Sequence, residues 1–373
     1  MATKGWIRAL ACLGAVGALS LPALGAAAQA GYPAPPTAVS GPAQPVPARS
    51  NTPSCPEPAA KSRIYADHIF QYGTLVDSPM LGTTFGMRLS ESVEKVPGYP
   101  AGLFGSLNVN QLASSATVDY TQMVFDRLSF FVAASGSGIT GSNVSTLLGT
   151  GVQYQYDTNG GFQAALINDH RSGDLLTLRG ELGYSEGSLL GVGQLASSLI
   201  SNPKATIQDV LTDGPGQLLL TPFSTLHFGG SVAYGHVFAP WFDLQTSLAA
   251  IEYDQTTEPF DVVSNSRGSV TGHEFAPNGA IALTVGGADG GFPFALQVEY
   301  RLTLAWIDGA FQTHPQNDVA AGIYYTGRPD LQLGIVGVGS WLPPLQGATP
   351  TGTTASSGYP SAFTGEFVFR YVW

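Results

Sequence analysis

Apolar and polar side chains alternate strictly along residues 292–306. The even positions are all apolar, and they are Phe292, Phe294, Leu296, Val298, Tyr300, Leu302, Leu304 and Trp306. The central odd positions are polar, and they are Gln297, Glu299, Arg301 and Thr303. Because successive side chains of a strand point to opposite faces, this pattern predicts a strand with one apolar and one polar face. Its length, with aromatic residues at both ends, favours a strand that crosses a lipid bilayer.

The last residues of the chain repeat this alternation. Phe363, Phe367, Phe369, Tyr371 and Trp373 fall on one face, together with Gly365, and Glu366 and Arg370 fall on the other. Shorter runs of the same kind occur at 81–89, 103–110, 176–184 and 242–248. The chain is therefore expected to be all-β.

Turn-forming residues divide these runs. We predict a hairpin turn at residues 157–160, whose sequence is Asp-Thr-Asn-Gly, and short connections at 239–240, 287–290 and 327–330. At Asp126 and Arg127 the alternation changes phase, which indicates either a β-bulge or a misread strand. The predicted number of strands is 14, with 12 as the alternative. One segment has helical spacing instead, because Val192, Leu195, Ala196, Leu199 and Ile200 share a helix face, and a second short helix follows over 207–211.

The first 61 residues have a different composition. Residues 1–30 combine a basic start, an apolar run and an Ala-Gln-Ala ending, which predicts a cleaved signal peptide. Residues 31–61 contain nine prolines, so we expect a proline-rich periplasmic linker that forms no strands. Once the signal peptide is removed, Cys55 is the remaining cysteine, so no internal disulfide is expected.

Composition limits the class of protein. Charged residues make up 11% of the chain, whereas an average soluble protein has about 25%. With 15 basic and 26 acidic residues the formal net charge is −11, which argues against a nucleic-acid partner. Aromatic residues at 10% argue against wholesale disorder.

These features resemble those of a Gram-negative outer-membrane β-barrel, a porin-like protein. The resemblance covers residues 62–373, together with the signal peptide. It implies a transmembrane antiparallel β-barrel of 12–14 strands with a short helical insert, located in the cell outer membrane. Members of this class end in an aromatic residue with apolar residues at alternate positions before it, an ending that the barrel-assembly machinery is thought to read. The matching assembly signal here is Phe367, Phe369, Tyr371 and Trp373. Outer-membrane lipid is the other expected partner, and a homo-oligomer is left open.

Polar residues on the inward face of the predicted strands are the candidate pore lining. They are Arg88, Arg179, Glu181, Asp243, Gln297, Glu299, Arg301, Glu366 and Arg370. The charges balance, so they can line a polar pore or close a narrow lumen as ion pairs. The histidines lack metal-ligand spacing, and we expect no metal and no cofactor.

Two short motifs suggest catalysis, and both have simpler interpretations. Residues 183–187 match the G-x-S-x-G pattern around Ser185, but the α/β repeats that hold such a nucleophile are missing. His170 and Ser172 lie together at a predicted turn, where Glu181 would be the nearest carboxylate.

The sequence therefore predicts a porin-like outer-membrane channel for passive passage of small polar solutes, and not an enzyme. One alternative is a closed structural or anchoring barrel associated with an envelope or polysaccharide-export complex. Another is an outer-membrane hydrolase.

Overall fold

The computed structural model describes residues 63–100, 106–143, 146–147, 150–191, 220–258, 260–261, 266–286, 292–348 and 354–373. The predicted signal peptide, the proline-rich linker, the helical insert and the turn at 287–290 lie outside these residues.

Twelve antiparallel strands form a closed barrel in which each strand pairs with its neighbours in sequence. They are β1 (Thr84–Pro100), β2 (Ser106–Phe125), β3 (Leu128–Gly141), β4 (Val152–Asp169), β5 (Asp174–Leu190), β6 (Leu220–Ala239), β7 (Phe242–Thr257), β8 (Val270–Gly286), β9 (Phe294–Thr303), β10 (Gln316–Tyr325), β11 (Leu331–Trp341) and β12 (Ser361–Val372). Pairing of β12 with β1, from Ser361 opposite Lys95 to Val372 opposite Thr84, closes the barrel. The predicted antiparallel barrel is confirmed, with the lower of the two strand numbers.

Strand β9 shows why the sequence folds this way. Leu296 and Val298 are 49% and 46% exposed on the outer surface, whereas Gln297 and Glu299 between them are 1% and 2% exposed in the interior. A closed barrel pairs every strand edge, so its backbone polar groups are satisfied and its outer face can be apolar. The interior then receives the polar half of each strand.

The outer surface has an aliphatic middle and aromatic ends. Exposed aromatic side chains near the end where β1 begins and β12 ends, which we call the terminal end, include Phe85, Phe125, Phe238, Trp241, Phe292 and Trp373. At the opposite end they include Tyr154, Phe275, Phe311, Trp341 and Phe363. Two aromatic girdles around an apolar band are typical of barrels that meet lipid on both sides.

Val298→Arg is expected to destabilise the barrel by about 2–4 kcal/mol, because Val298 lies near the middle of its strand on the lipid face. Phe294→Arg, at the strand end, should cost about 0–1 kcal/mol and serves as the control. Urea unfolding in lipid vesicles measures both variants. Equal losses at the two positions would contradict the assignment of a membrane face.

The predicted turn at residues 157–160 is wrong, because these residues lie inside β4. Asp157 faces Ser185 of β5, and Gly160 faces Leu182. Tyr156 and Phe162 flank the tetrapeptide on the outer surface. The alternation therefore continues through the turn-like residues, and strand pairing on both sides overrides their local preference.

The phase change at Asp126 and Arg127 agrees with the second of the two predicted causes, because the run is two strands and not one. These residues form the hairpin turn between β2 and β3, and a register shift between Met123 and Phe125 adjoins it. The connection predicted at 239–240 lies one residue later, at 240–241, because Ala239 ends β6, and the connection predicted at 327–330 lies between β10 and β11 as expected.

Residues 63–83, which we call the lumenal segment, precede β1 and lie inside the barrel. The segment begins with a small hairpin in which Ile64–Tyr65 pairs with His68–Ile69. Ala66 and Asp67 at its turn have φ values of 46° and 64°, as a two-residue turn of this handedness requires. The sequence predicts a barrel over 62–373 and does not distinguish this segment from the barrel wall.

Apolar side chains of the lumenal segment pack against the inner wall in three buried hydrophobic clusters. Tyr65, Phe70, Tyr72 and Met80 pack against wall residues Leu175, Val237 and Val372. Further along, Leu75 packs against Ala320, Tyr324, Val336, Val338 and Val368. The two largest buried clusters of the barrel therefore lie at the interface between the segment and the inner wall, in the half of the lumen nearer the terminal end.

Candidate functional site

The lumenal segment is held at the terminal end by Arg63, which is 1% exposed. Its guanidinium donates hydrogen bonds to the carbonyl oxygens of Phe70 at 3.0 Å, Pro329 at 3.0 Å and Leu331 at 2.7 Å. Burial lowers the pKa of Arg63 to about 10, so the side chain stays charged at neutral pH. One cation thereby ties the start of the segment to the turn between β10 and β11.

His68 and Asp243 form a second attachment, and both side chains are fully buried. The His68 Nε2 atom lies 2.5 Å from an Asp243 carboxylate oxygen, and Nδ1 lies 2.9 Å from the carbonyl oxygen of Pro240. A carbonyl oxygen only accepts hydrogen bonds, so Nδ1 carries a proton. The Nε2–carboxylate contact then holds one further proton, shared by the pair.

Glu299 of β9 is the third attachment, at mid-depth in the lumen. Its carboxylate accepts hydrogen bonds from three successive backbone N–H groups, those of Thr74 at 2.9 Å, Leu75 at 2.7 Å and Val76 at 3.1 Å. Successive N–H groups that converge on one anion form a strong site for it. Glu299 therefore attaches to strand β9 the part of the segment that lies farthest from the terminal end.

Gly73→Ala should loosen this attachment. A Cβ at position 73 would lie 2.8 Å from a Glu299 carboxylate oxygen and 3.2 Å from the carbonyl oxygen of Val76. We expect a loss of about 1–3 kcal/mol, measured as faster chymotryptic cleavage after Phe70 or Tyr72 in the folded barrel. Gly82→Ala is the matched control, because its nearest neighbours would be an ordinary 3.6 Å away. Equal cleavage rates for the two variants would contradict the role of Glu299.

Two cavities border the lumenal segment. The larger, of about 600 Å³, lies above Thr74 and Leu75 on the side away from the terminal end, and we call it the upper cavity. Five carboxylates and two guanidinium groups line it: Glu94, Asp157, Glu181, Asp318, Glu366, Arg88 and Arg301. Most of its other lining residues are serine, threonine, asparagine or glutamine, so its wall is polar.

The smaller cavity, of about 270 Å³, lies between the lumenal segment and the wall formed chiefly by β1 to β5, and we call it the crevice. The segment has its principal attachments to β7, β9 and the turn before β11, and this leaves the crevice open on the other side of the lumen. Four arginines line the crevice, namely Arg88, Arg179, Arg301 and Arg370, together with Asp77, Asp119 and Asp157.

Two of these arginines are fixed by both an acid and an aromatic ring. Arg179 lies 2.9 Å from Glu181 and its guanidinium carbon is 3.9 Å from the centre of the Phe131 ring. Arg370 lies 2.9 Å from Asp119 and is 4.3 Å from the centre of the Tyr72 ring. Between Arg370 and Asp119 the register places Gly86, which has no side chain and leaves room for this ion pair to cross β1.

All nine side chains predicted from the sequence as pore lining face the interior, at different places. Arg88, Arg179, Glu181, Arg301, Glu366 and Arg370 line the two cavities. Asp243 and Glu299 are covered by the lumenal segment, and Gln297 is 1% exposed beside Thr284. Sequence reasoning missed the segment that covers them.

The four residues of the predicted assembly signal lie on the outer face of β12. Phe367, Tyr371 and Trp373 are exposed there, and Phe369 is partly exposed. Phe369 faces Met87 of β1 and Leu333 of β11, so the signal residues flank the strand pair that closes the barrel.

The candidate catalytic residues have other neighbours. The ring of His170 stacks on Tyr65 with centroids 4.0 Å apart, and its Nδ1 lies 3.1 Å from the carbonyl oxygen of Ile64. The Ser172 hydroxyl accepts a hydrogen bond from the N–H of Asp174. Ser185 is inside strand β5 and not on a strand-to-helix turn.

Within the described residues, no group of three or more His, Cys, Asp or Glu side chains is placed to hold a metal ion.

In the part of the chain that the structure covers, no helix is long and apolar enough to cross a membrane.

A closed antiparallel barrel with aromatic girdles, an apolar outer band and a polar interior has the architecture of an outer-membrane β-barrel. No protein-family description matches the sequence, and no curated protein does.

The chain is similar to several solved structures. The β-domain of the Bordetella autotransporter BrkA is 12% identical, with a TM-score of 0.47, and covers 79% of this chain and 100% of its own. The translocator domain of the autotransporter NalP from Neisseria meningitidis is 9% identical, with a TM-score of 0.46, over 79% and 89%. A FadL homologue from Pseudomonas aeruginosa is 9% identical, with a TM-score of 0.46, over 79% and 91%.

Proposed function

We propose that this protein is an outer-membrane channel for passive passage of small polar solutes, narrowed by its own lumenal segment. The observation that carries the proposal is the pair of polar cavities, one above the segment and one beside it. A barrel that only anchored a complex would need no charged space beside a well-packed core.

The crevice is the proposed route past the segment. Solutes would leave the upper cavity where Arg88 and Arg301 line both spaces, and continue between Asp77 on the segment and Asp119 and Arg370 on the wall. Hydroxyl, amide and charged groups of the channel wall form hydrogen bonds in place of those that a polar solute loses when it leaves bulk water. The crevice, of about 270 Å³, has less than half the volume of the upper cavity, so we expect it to slow large solutes more than small ones.

The terminal end is proposed to face the periplasm, since bacterial barrels have both strand termini and their short turns on that side. The connections at 126–127, 240–241 and 326–330 lie at this end and are short. Assembly would then depend on outer-membrane lipid and the barrel-assembly machinery.

A closed structural barrel is the second candidate, favoured by the three buried attachments at Arg63, His68 and Glu299. Under that interpretation the lumenal segment never lets solute pass.

Swelling of proteoliposomes distinguishes the two functions. The channel predicts that vesicles with the full-length protein swell in ethylene glycol or glycerol and much more slowly in disaccharides. Vesicles that do not swell in any of these solutes, although they contain folded barrel, would reject the channel and favour the structural function.

A further inference from the structure

Arg88 differs from the other arginines that line the crevice. Arg179, Arg301 and Arg370 are each held 2.9 Å from an acidic partner, which is Glu181, Asp318 and Asp119 respectively. Among the described residues, no acidic oxygen lies within 4.0 Å of the Arg88 guanidinium, and its buried Nε has no hydrogen-bond acceptor. Arg88 lines both the upper cavity and the crevice, so it lies where one joins the other.

Glu366 lies beside Arg88 and also has unused hydrogen-bonding capacity. The β12–β1 register pairs Arg88 with Val368 and Ser90 with Glu366, so the two charged side chains are diagonal neighbours on the inner face. The buried Oε2 atom of Glu366 has no donor with good hydrogen-bond geometry among the described residues, although the Thr74 hydroxyl of the lumenal segment lies close enough to interact with the carboxylate. The Tyr324 hydroxyl, which lies near both charges, also has no partner with good hydrogen-bond geometry among the described residues, and the Thr74 hydroxyl is its neighbour as well.

A buried donor and a buried acceptor left unmatched side by side are unusual, because nearly all such groups in proteins are satisfied. Opposite charges this close would ordinarily form an ion pair, as the other three arginines do. A molecule that presents a carboxylate to the cavity-facing part of the Arg88 guanidinium and an ammonium to the cavity-facing part of the Glu366 carboxylate would pair both charges at once. The upper cavity has more carboxylates than guanidinium groups, which raises the local concentration of ammonium groups above the site.

We propose that Arg88 and Glu366 form a binding site for small zwitterionic solutes, such as an amino acid, at the entrance to the crevice. This inference rests on the proposed channel function and names the class of solute that the channel prefers. Arg88 would bind the carboxylate, Glu366 the ammonium, and the Thr74 hydroxyl would add a hydrogen bond from the segment.

Uptake of four labelled solutes of similar size tests the site. Glycine has both charged groups, glycolate the carboxylate, ethanolamine the ammonium, and ethylene glycol neither. At trace concentration in proteoliposomes, a binding site on the route raises flux, so we expect glycine to enter faster than the other three by about tenfold. Arg88→Gln should slow glycine and glycolate, Glu366→Gln should slow glycine and ethanolamine, and Arg88→Lys should restore part of the glycine rate.

The outcomes separate the two levels of the proposal. If ethylene glycol does not enter vesicles that contain folded wild-type barrel, the channel itself is rejected. If ethylene glycol enters but glycine is no faster, or if Arg88→Gln leaves the glycine rate unchanged, the zwitterion site is rejected and the channel remains. Heat-modifiable migration in gels shows which variants fold. If Arg88→Gln does not fold, Arg88→Lys is the second substitution that tests the site.

Discussion

Deletion of residues 63–83 should convert the protein into a channel with a conductance several times that of the full-length chain. The segment fills the half of the lumen nearer the terminal end with Tyr65, Phe70, Leu75 and Val76. None of the twelve strand pairs that close the barrel includes a residue of the segment, so the deletion should leave the wall intact. Single-channel currents in planar bilayers measure the effect.

A deletion of residues 31–60 is the control, because it shortens the chain and keeps the lumenal segment. It should conduct like the full-length protein. A folded 63–83 deletion with unchanged conductance would show that the segment does not restrict the lumen, and would contradict the proposed route.

Deletion of residues 369–373 should abolish assembly of the barrel. It removes the pairs of Phe369 with Met87 and Tyr371 with Phe85 on β1, and those of the same residues with Leu333 and Leu331 on β11. The freed edges would expose backbone N–H and C=O groups to lipid, where each costs several kcal/mol by order of magnitude. The measurement is the recovery of heat-modifiable protein from outer membranes.

Two single substitutions serve as controls for the deletion. Each changes one side chain and keeps the backbone pairs of β12, so they show whether assembly depends on strand pairing or on the side chains. Trp373→Phe keeps an aromatic residue at the outer surface and should assemble normally. Arg370→Gln breaks the ion pair with Asp119 inside the lumen, and should assemble while allowing more movement of Tyr72, which lies against the guanidinium. Heat-modifiable barrel from the five-residue deletion itself would contradict the requirement for β12.

The strands of the barrel wall could be predicted from the sequence because the environment of each side chain depends only on its position along its own strand. Alternation in β9 follows from lipid on one side and a polar lumen on the other, and it is visible in single residues such as Val298 and Glu299. The prediction of a turn at residues 157–160 was wrong because pairing with neighbouring strands, and not local sequence, decides the structure there. Its residues favour a hairpin in isolation, but Asp157 and Asn159 lie on the inner face of β4, where lumenal space accepts short polar side chains.

The lumenal segment could not be predicted by the same reasoning. Its contacts join residues far apart in sequence, such as Thr74 with Glu299 and Arg63 with Leu331. No repeating pattern of apolar and polar residues indicates such contacts. A weak signal exists in Asp77, Ser78 and Pro79, which interrupt an apolar stretch too irregular for a membrane strand. Charged residues could be assigned to the inner face, but which of them face open space depends on the segment.

Disulfide formation between Val76→Cys and Ala282→Cys, in a Cys55→Ala background, tests most directly that the segment lies inside the barrel. Val76 packs with Ala280 and Ala282 on the inner face of β8, whereas Ile281 between them faces lipid. Barrel assembled in the outer membrane should form the 76–282 disulfide rapidly and should not form one between Val76→Cys and Ile281→Cys. Absence of the first disulfide in folded barrel, or equal formation of both, would contradict a lumen narrowed by residues 63–83.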